Sequence, residues 1–226
     1  MQIDLVIFDL NGTLIEDRLV VSRCLLETLG EAGVEVNAEA IREVMGLAKT
    51  EAIQRLIEQS DQREEMSARA GEIHAEFVAR MLRHYQNDSD VMEISGASEV
   101  LSRLSKRNVR IALSTSFPRV VMQAMLDRMG WMRQGLISAT VASDEVRRGR
   151  PHPDLIQYLM KRLFVRDARR LAKVGDTPAD LLEGANAGCE MVIGVTTGAH
   201  LRNHLVQFPH SHIIDSVAEL PGLLGI

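Results

Sequence analysis

VIFDLNGTLIED, residues 6–17, is the stretch on which the reading of the whole chain turns. Val6, Ile7 and Phe8 form an apolar run that delivers an acid, Asp9, and the chain then turns through Asn11, Gly12 and Thr13. A short apolar run closed by turn residues predicts a strand buried on both faces. Such strands belong to parallel sheets covered by helices, and those sheets take ligands beyond the carboxyl ends of their strands. Asp9 therefore stands where a reactive carboxylate would be useful. Asn11 is the puzzle. A second carboxylate there would pair a nucleophile with an acid, and this chain carries an amide.

Outward from this stretch, short apolar runs alternate with longer amphipathic segments. Residues 3–8, 109–114, 136–142, 171–175 and 190–195 predict buried strands, with a weak sixth at 212–214. Residues 97–107, 118–129, 153–164 and 178–187 predict helices between them, and 216–224 a last short one. Strands separated by helices predict an α/β fold, a Rossmann-like parallel sheet with helices on both faces. Residues 18–90 break that rhythm. Leu19, Val20, Leu25, Leu26 and Leu29 share one helical face, and 61–86 is charged and helical in pattern. An all-helical cap, residues 18–89, is thus expected as an insert in a core made of residues 1–17 and 90–226, with hinges near 14–18 and 88–96.

Bulk properties narrow the function. The 226 residues are 46% hydrophobic and 25% charged, with net charge −5, enough for a proper core and unsuited to gripping nucleic acid or acidic lipid. No run predicts a signal peptide or a membrane span. Cys24 and Cys189 lack metal-type spacing and read as reduced thiols. A cytoplasmic protein is expected, monomer or homodimer, with a small-molecule partner and neither nucleic acid nor membrane. The histidines have no convincing ligand spacing, and His200 reads as a surface residue.

Each predicted strand delivers polar groups at its end. The first gives Asp9, and the second Ser114, Thr115 and Ser116. The loop after the third gives Arg147, Arg148 and Arg150, and the fourth gives Asp176 and, one helical turn on, Asp180. Carboxylates and water make a hard oxygen site for Mg²⁺. Arg150 and Thr115 suit the oxygens of a phosphoryl group, and Asp9 could attack its phosphorus. Each residue has a plainer reading too: Asp9 as a turn residue, Asp180 as a helix-start acid, Arg150 as a solvated loop charge. Convergence of all the strand ends favours chemistry.

Four motifs carry a resemblance: Asp9-Leu10-Asn11-Gly12-Thr13 after the first strand, Thr115 closing the second, Arg150 in GRPHPD, and Gly175-Asp176 with Asp180. In order and spacing they resemble the haloacid dehalogenase superfamily. The resemblance implies Mg²⁺-dependent phosphoryl transfer through an aspartyl-phosphate on Asp9. Asp9, the backbone carbonyl of Asn11 and Asp176 would hold the metal, with Asp180 in support. It also implies that position 11 is usually an Asp serving as general acid and base, so Asn11 puts proton delivery in question, and a catalytically impaired binding protein is one reading.

Within that superfamily the chain resembles the phosphonatase-like branch, which includes phosphonoacetaldehyde hydrolases, and the β-phosphoglucomutase-type phosphatases. The former also lack a carboxylate at this position, use Arg in the third motif, and carry a cap lysine in Met-Gly-Leu-x-Lys, here Met45-Gly46-Leu47-Ala48-Lys49. That lysine forms a Schiff base with an aldehyde substrate. The histidine expected three residues later is Ala52. Lys49 is therefore read first as a cation contacting substrate, second as a Schiff-base amine and third as a surface charge. Met45, Thr115, Ser116 and Arg150 complete the expected substrate contacts.

Overall fold

The computed structural model describes residues 3–226, so the first two residues of the expected core segment lie outside it. The chain begins with β1 (Leu5–Phe8) and then forms five helices in succession: α1 (Val20–Glu31), α2 (Ala38–Glu43), α3 (Lys49–Glu58), α4 (Arg63–Met66) and α5 (Ala70–Asn87). It continues through α6 (Ala97–Lys106), β2 (Arg110–Ser114), α7 (Arg119–Met129), β3 (Ala139–Val141), α8 (Asp154–Arg162), β4 (Leu171–Gly175) and α9 (Pro178–Ala187). The last elements are β5 (Met191–Val195), α10 (Arg202–Leu205), β6 (His212–Ile214) and α11 (Leu220–Leu223).

Every strand pairing is parallel, and the sheet order is β3-β2-β1-β4-β5-β6. The order runs one way from β1 and the other way from β4. The gap between their carboxyl ends is thus a topological switch point, where helices leave to opposite faces and a crevice opens. The apolar run of β1 explains the centre of the sheet. Leu5 and Ile7 face α8 through Leu155, Ile156 and Leu159, while Val6 and Phe8 face the side of α6 and α7. Alternation with period two thus buries both faces of β1.

The helices α1–α5 form the cap, and their apolar faces join the same cluster as β1, α6 and α7, so the cap is closed on the core. The chain enters and leaves the cap along two neighbouring segments. Glu16 N–H donates to Met92 O at 3.0 Å and Ile94 N–H to Leu14 O at 2.8 Å. The expected hinge regions therefore run side by side as a short ribbon.

Several local expectations need correcting. The third strand covers Ala139–Val141 only, because Leu136 and Ile137 belong to the turn that leads into it. The 61–86 stretch is two helices separated by a 3₁₀ turn at Ser67–Arg69. Leu19 precedes α1 in the left-handed region and is exposed, so the buried face of α1 starts at Val20. Among the described residues no helix is long and apolar enough to cross a membrane.

Candidate active site

At the switch point, the turn after β1 and the turn after β4 lie against each other. Asp9 ends β1 and is buried. Gly12 adopts φ +85°, and a Cβ there would sit 2.5 Å from an oxygen of Asp176, so only glycine lets the two turns meet. Thr13 Oγ1 donates to Asp176 Oδ1 at 3.1 Å, and Ala199 N–H donates to Asp176 Oδ2 at 2.8 Å. Thr197 Oγ1 donates to Gly12 O at 2.7 Å, so the loop after β5 holds both turns.

Beneath Asp9 lies a buried ionic cluster. Arg150 Nη1 donates to Asp9 Oδ1 at 2.7 Å and is 3.0 Å from Asp180 Oδ1. Its Nε donates to Glu183 Oε2 at 3.0 Å, and its Nη2 to Ser114 O and Oγ at 3.1 and 2.9 Å. Lys173, in the middle of β4, lies 2.9 Å from Asp180 Oδ1 and 3.1 Å from Glu183 Oε2, and it donates to Ser114 Oγ at 3.1 Å. Asp180 also completes a capping box with Thr177 at the start of α9.

Three buried carboxylates (Asp9, Asp180 and Glu183) thus share two cations that lie within the cluster, Arg150 and Lys173, and a fourth, Asp176, lies beside them with no ion pair among the described residues. The excess negative charge falls on the upper pair. Burial, the charges of Asp9 and of Asp180 push Asp176 well above the ordinary carboxylate range. Burial raises Asp9 as well, against the pull of Arg150. Asp180 goes the other way, because Arg150, Lys173 and Thr177 together outweigh its burial. Carboxylate oxygens of Asp9, Asp176 and Asp180 lie within 4.8 Å of one another. This uncompensated charge and the hard oxygen donors fit a small divalent cation. Asp180 Oδ1 already faces two cations, so Asp9 and Asp176 would be the better-placed ligands.

The cap supplies the roof. Met45, Gly46 and Lys49 line the cavity above Asp9, together with Asn11, Thr115, Ser116, Phe117, Arg150 and Asp176. Gly46 has φ +87°, and a Cβ there would meet Thr177 Oγ1 at 2.2 Å, so this glycine lets the cap loop rest on the core. Lys49 opens α3 and is buried, with its Nζ 4.8 Å from the centre of the Phe117 ring. No carboxylate forms an ion pair with it among the described residues. Burial brings it down to about 8, although Asp9 and Asp17 pull the other way. The third reading of Lys49, a surface charge, is therefore excluded. Thr115 Oγ1 accepts from Phe117 N–H at 3.2 Å, which leaves the hydroxyl proton free to be donated into the cavity. With the cap closed the free volume is about 20 Å³, room for a single water and no substrate.

The structure thus gathers eight of the nine singled-out residues around one cavity and sets Asp180 just behind it. Lys173, Glu183 and Tyr85 escaped the sequence reading. A lysine inside the apolar run LAKVG was a visible signal, since a buried lysine needs acids around it. Glu183 follows Asp180 by three residues and so shares its helix face. Tyr85, on α5, donates its hydroxyl to Asn11 Oδ1 at 2.6 Å, a contact that no sequence spacing announces. Burial and the charges of Asp17 and Asp9 raise the Tyr85 phenol well above its usual range. His200, expected at the surface, is buried instead. Its Nδ1 is 2.8 Å from that of His204, and burial takes it down to about 4.

Comparisons with known proteins agree with this architecture. The phosphonoacetaldehyde hydrolase of Bordetella avium is 27% identical over an alignment that covers all of this chain and 91% of that protein. The phosphonoacetaldehyde hydrolase of Bacillus cereus (strain B4264) is 28% identical over 88% of this chain and 78% of its own. Among solved structures, a phosphonoacetaldehyde hydrolase-like protein from Oleispira antarctica superposes with a TM-score of 0.86 at 23% identity, covering 100% of this chain and 92% of that one. CbbY from Rhodobacter sphaeroides, solved in complex with phosphate, gives 0.78 at 21% identity, with 97% and 96% covered. Those two likenesses establish the fold. The family model for "Haloacid dehalogenase-like hydrolase" matches residues 6–194, and the chain belongs to that family of hydrolytic enzymes.

Proposed function

We propose that the chain hydrolyses a small phosphorylated or phosphonate metabolite, with Asp9 as the nucleophile and Mg²⁺ as the cofactor. The observation that carries this reading is the arrangement at the switch point. Asp9 is fixed by Arg150 through Oδ1, which leaves Oδ2 to attack, and it lies beside Asp176 under a roof that holds a lone buried lysine. Asp9, Asp176 and the carbonyl of Asn11 would hold the metal, with Asp180 behind, and its charge would offset that of the phosphoryl group. Asp9 attacks phosphorus, the bond to the leaving group breaks, and the leaving group departs with the electron pair. Water then cleaves the aspartyl-phosphate to inorganic phosphate and free Asp9. Thr115 and Ser116 would hold phosphoryl oxygens, Arg150 opposes the burial that raises Asp9, and Met45 and Lys49 would face the remainder of the substrate. In this reading residues 1–17 and 90–226 form the reacting core, and residues 18–89 the cap that selects the substrate.

A second reading, cleavage of the carbon–phosphorus bond of phosphonoacetaldehyde, is favoured by Lys49. At about 8, this amine is neutral in roughly a tenth of molecules at pH 7, far more often than an ordinary lysine. The neutral amine would condense with the aldehyde and release water. The resulting iminium would accept the carbon–phosphorus electron pair as Asp9 takes the phosphorus. A carbon leaving group drained in this way has no need of an acid at position 11. The relatives' names agree with this reading, whereas Ala52 departs from it.

The test is phosphate release from a panel of phosphorylated metabolites and phosphonoacetaldehyde, with and without Mg²⁺. Turnover should require Mg²⁺ and vanish in Asp9→Ala; release at the wild-type rate in that variant would refute the mechanism. Borohydride added with phosphonoacetaldehyde should leave a mass increase on the peptide holding Lys49. No adduct and no acetaldehyde would remove the second reading. Silence across the whole panel would favour an impaired, binding-only relative.

A further inference from the structure

We infer that Tyr85 is a positioning residue for Asn11, and that cap closure thereby turns position 11 into a hydrogen-bond donor facing the cavity. The inference rests on the proposed role of Asp9 and its cavity as the reacting site, and it concerns a contact between cap and core rather than the chemistry itself.

Asn11 sits two residues beyond Asp9 and lines the same cavity. Its Oδ1 accepts the Tyr85 hydroxyl at 2.6 Å, from a helix 74 positions along the chain. The phenol is held in place by its surroundings. Its ring is edge-on to Phe117 of the core at 6.4 Å and to neighbouring His84 at 5.0 Å, and Phe77, two turns earlier on α5, stacks on Phe117 at 6.1 Å. Closing the cap therefore brings the hydroxyl to one place.

A phenol has one proton, and here it goes to the amide oxygen. With Oδ1 turned to the cap, the polar atoms that Asn11 has left for the cavity are the two N–H groups on Nδ2. An ionised carboxylate at this position would offer acceptors only. The chemical partner is thus an oxygen that carries or gains negative charge on the group Asp9 attacks: a phosphoryl or phosphonyl oxygen, or the oxygen that leaves. The closed cavity admits no substrate, so the cap must open for entry, and opening separates Tyr85 from Asn11. The amide then turns freely. Its donors are aimed only after the cap has shut, which ties orientation at position 11 to the closed state.

A plain structural role would have Tyr85 and Asn11 merely satisfying each other as buried polar groups. A double-mutant cycle separates the two. Hydrogen–deuterium exchange of α5 in the full-length protein reads cap closure without any need for turnover, and kcat and KM on the active substrate of the panel read its consequence. Tyr85→Phe and Asn11→Ala should each speed α5 exchange by about 3- to 10-fold, and the double variant by no more than either alone. Asn11→Asp, whose carboxylate still accepts from the phenol, should keep the wild-type protection. The fall in kcat of Tyr85→Phe, Asn11→Ala and the double variant should follow the same pattern, with KM nearly unchanged, whereas Asn11→Asp should keep the cap contact and still lose kcat, because its carboxylate has no proton to donate into the cavity. If the effects of the two single changes multiply in exchange, Tyr85 acts elsewhere and the inference is overturned. If Tyr85→Phe lowers kcat by the same factor in the Asn11→Ala background as in wild type, the positioning role is overturned as well. Coupled exchange in a protein that turns over nothing in the panel would leave the cap contact standing and would sink the hydrolase reading instead.

Discussion

Lys49 shows at the scale of a residue what the proposed function would cost in stability. A buried ammonium without a carboxylate partner is costly, and the ring of Phe117 returns only part of that cost. The folded protein lowers its pKa from 10.5 to about 8. For a base, a lowered folded value means a penalty that is present in full below the folded pKa, where both states are charged. The penalty fades as pH rises from 8 towards 10.5, where the folded state has lost the charge and the unfolded state is losing it. Lys49→Met should therefore raise Tm at pH 7 by roughly 2–6 °C and show little gain at pH 10. Thermal unfolding at the two pH values checks this. The same variant should fail in the borohydride experiment and lose turnover.

At the scale of elements, the pairing of β4 with α9 depends on charges that neither element could bury alone. Lys173 points from the strand to Asp180 and Glu183, which lie on one face of the helix. Removal of the cation leaves two acids facing each other with Arg150 as their shared partner. Lys173→Met should cost roughly 3–5 kcal/mol in denaturant unfolding, the usual loss on breaking a buried pair. Adding Glu183→Leu removes the stranded charge and should recover more than half of that loss. Additive costs in the double variant would mean that Lys173 and Glu183 do not act as a pair. The cap meets the core by different means, through close backbone approach at Gly46 and aromatic packing on Phe117.

Across the whole molecule, the excess negative charge at the switch point would link folding to the proposed metal. Asp176 has a folded pKa well above its usual value. For an acid this means no penalty at low pH, where both states are protonated. A penalty grows as pH rises through the unfolded value near 3.8 and is complete above the folded value. A divalent cation binds the ionised form and should offset that penalty only where it exists. At a hundredfold excess over its Kd, Mg²⁺ contributes about 2.7 kcal/mol, so Tm should rise by roughly 5–10 °C at pH 8. The rise should be smaller at pH 5. An equal response at both pH values, or none, would show that Asp9 and Asp176 are not the ligands.

The sequence by itself determined the sheet, the helical insert and the strand ends at which polar groups gather. Those features rest on local periodicity and on turn chemistry, which neighbouring residues settle among themselves. Asp9, Thr115, Arg150 and Asp176 were legible because a parallel sheet brings the carboxyl ends of its strands together whatever the connections are. Only the tertiary structure decided the rest. Lys173 and Glu183 matter through partners on other elements. The burial of Lys49 and of His200 depends on how the cap and the loop after β5 pack. Asn11 looked like a missing acid when read along the chain. In the folded protein its side-chain oxygen is held by Tyr85. The angle at which a cap helix meets a core turn is fixed by packing between surfaces distant in sequence, and no local pattern encodes it.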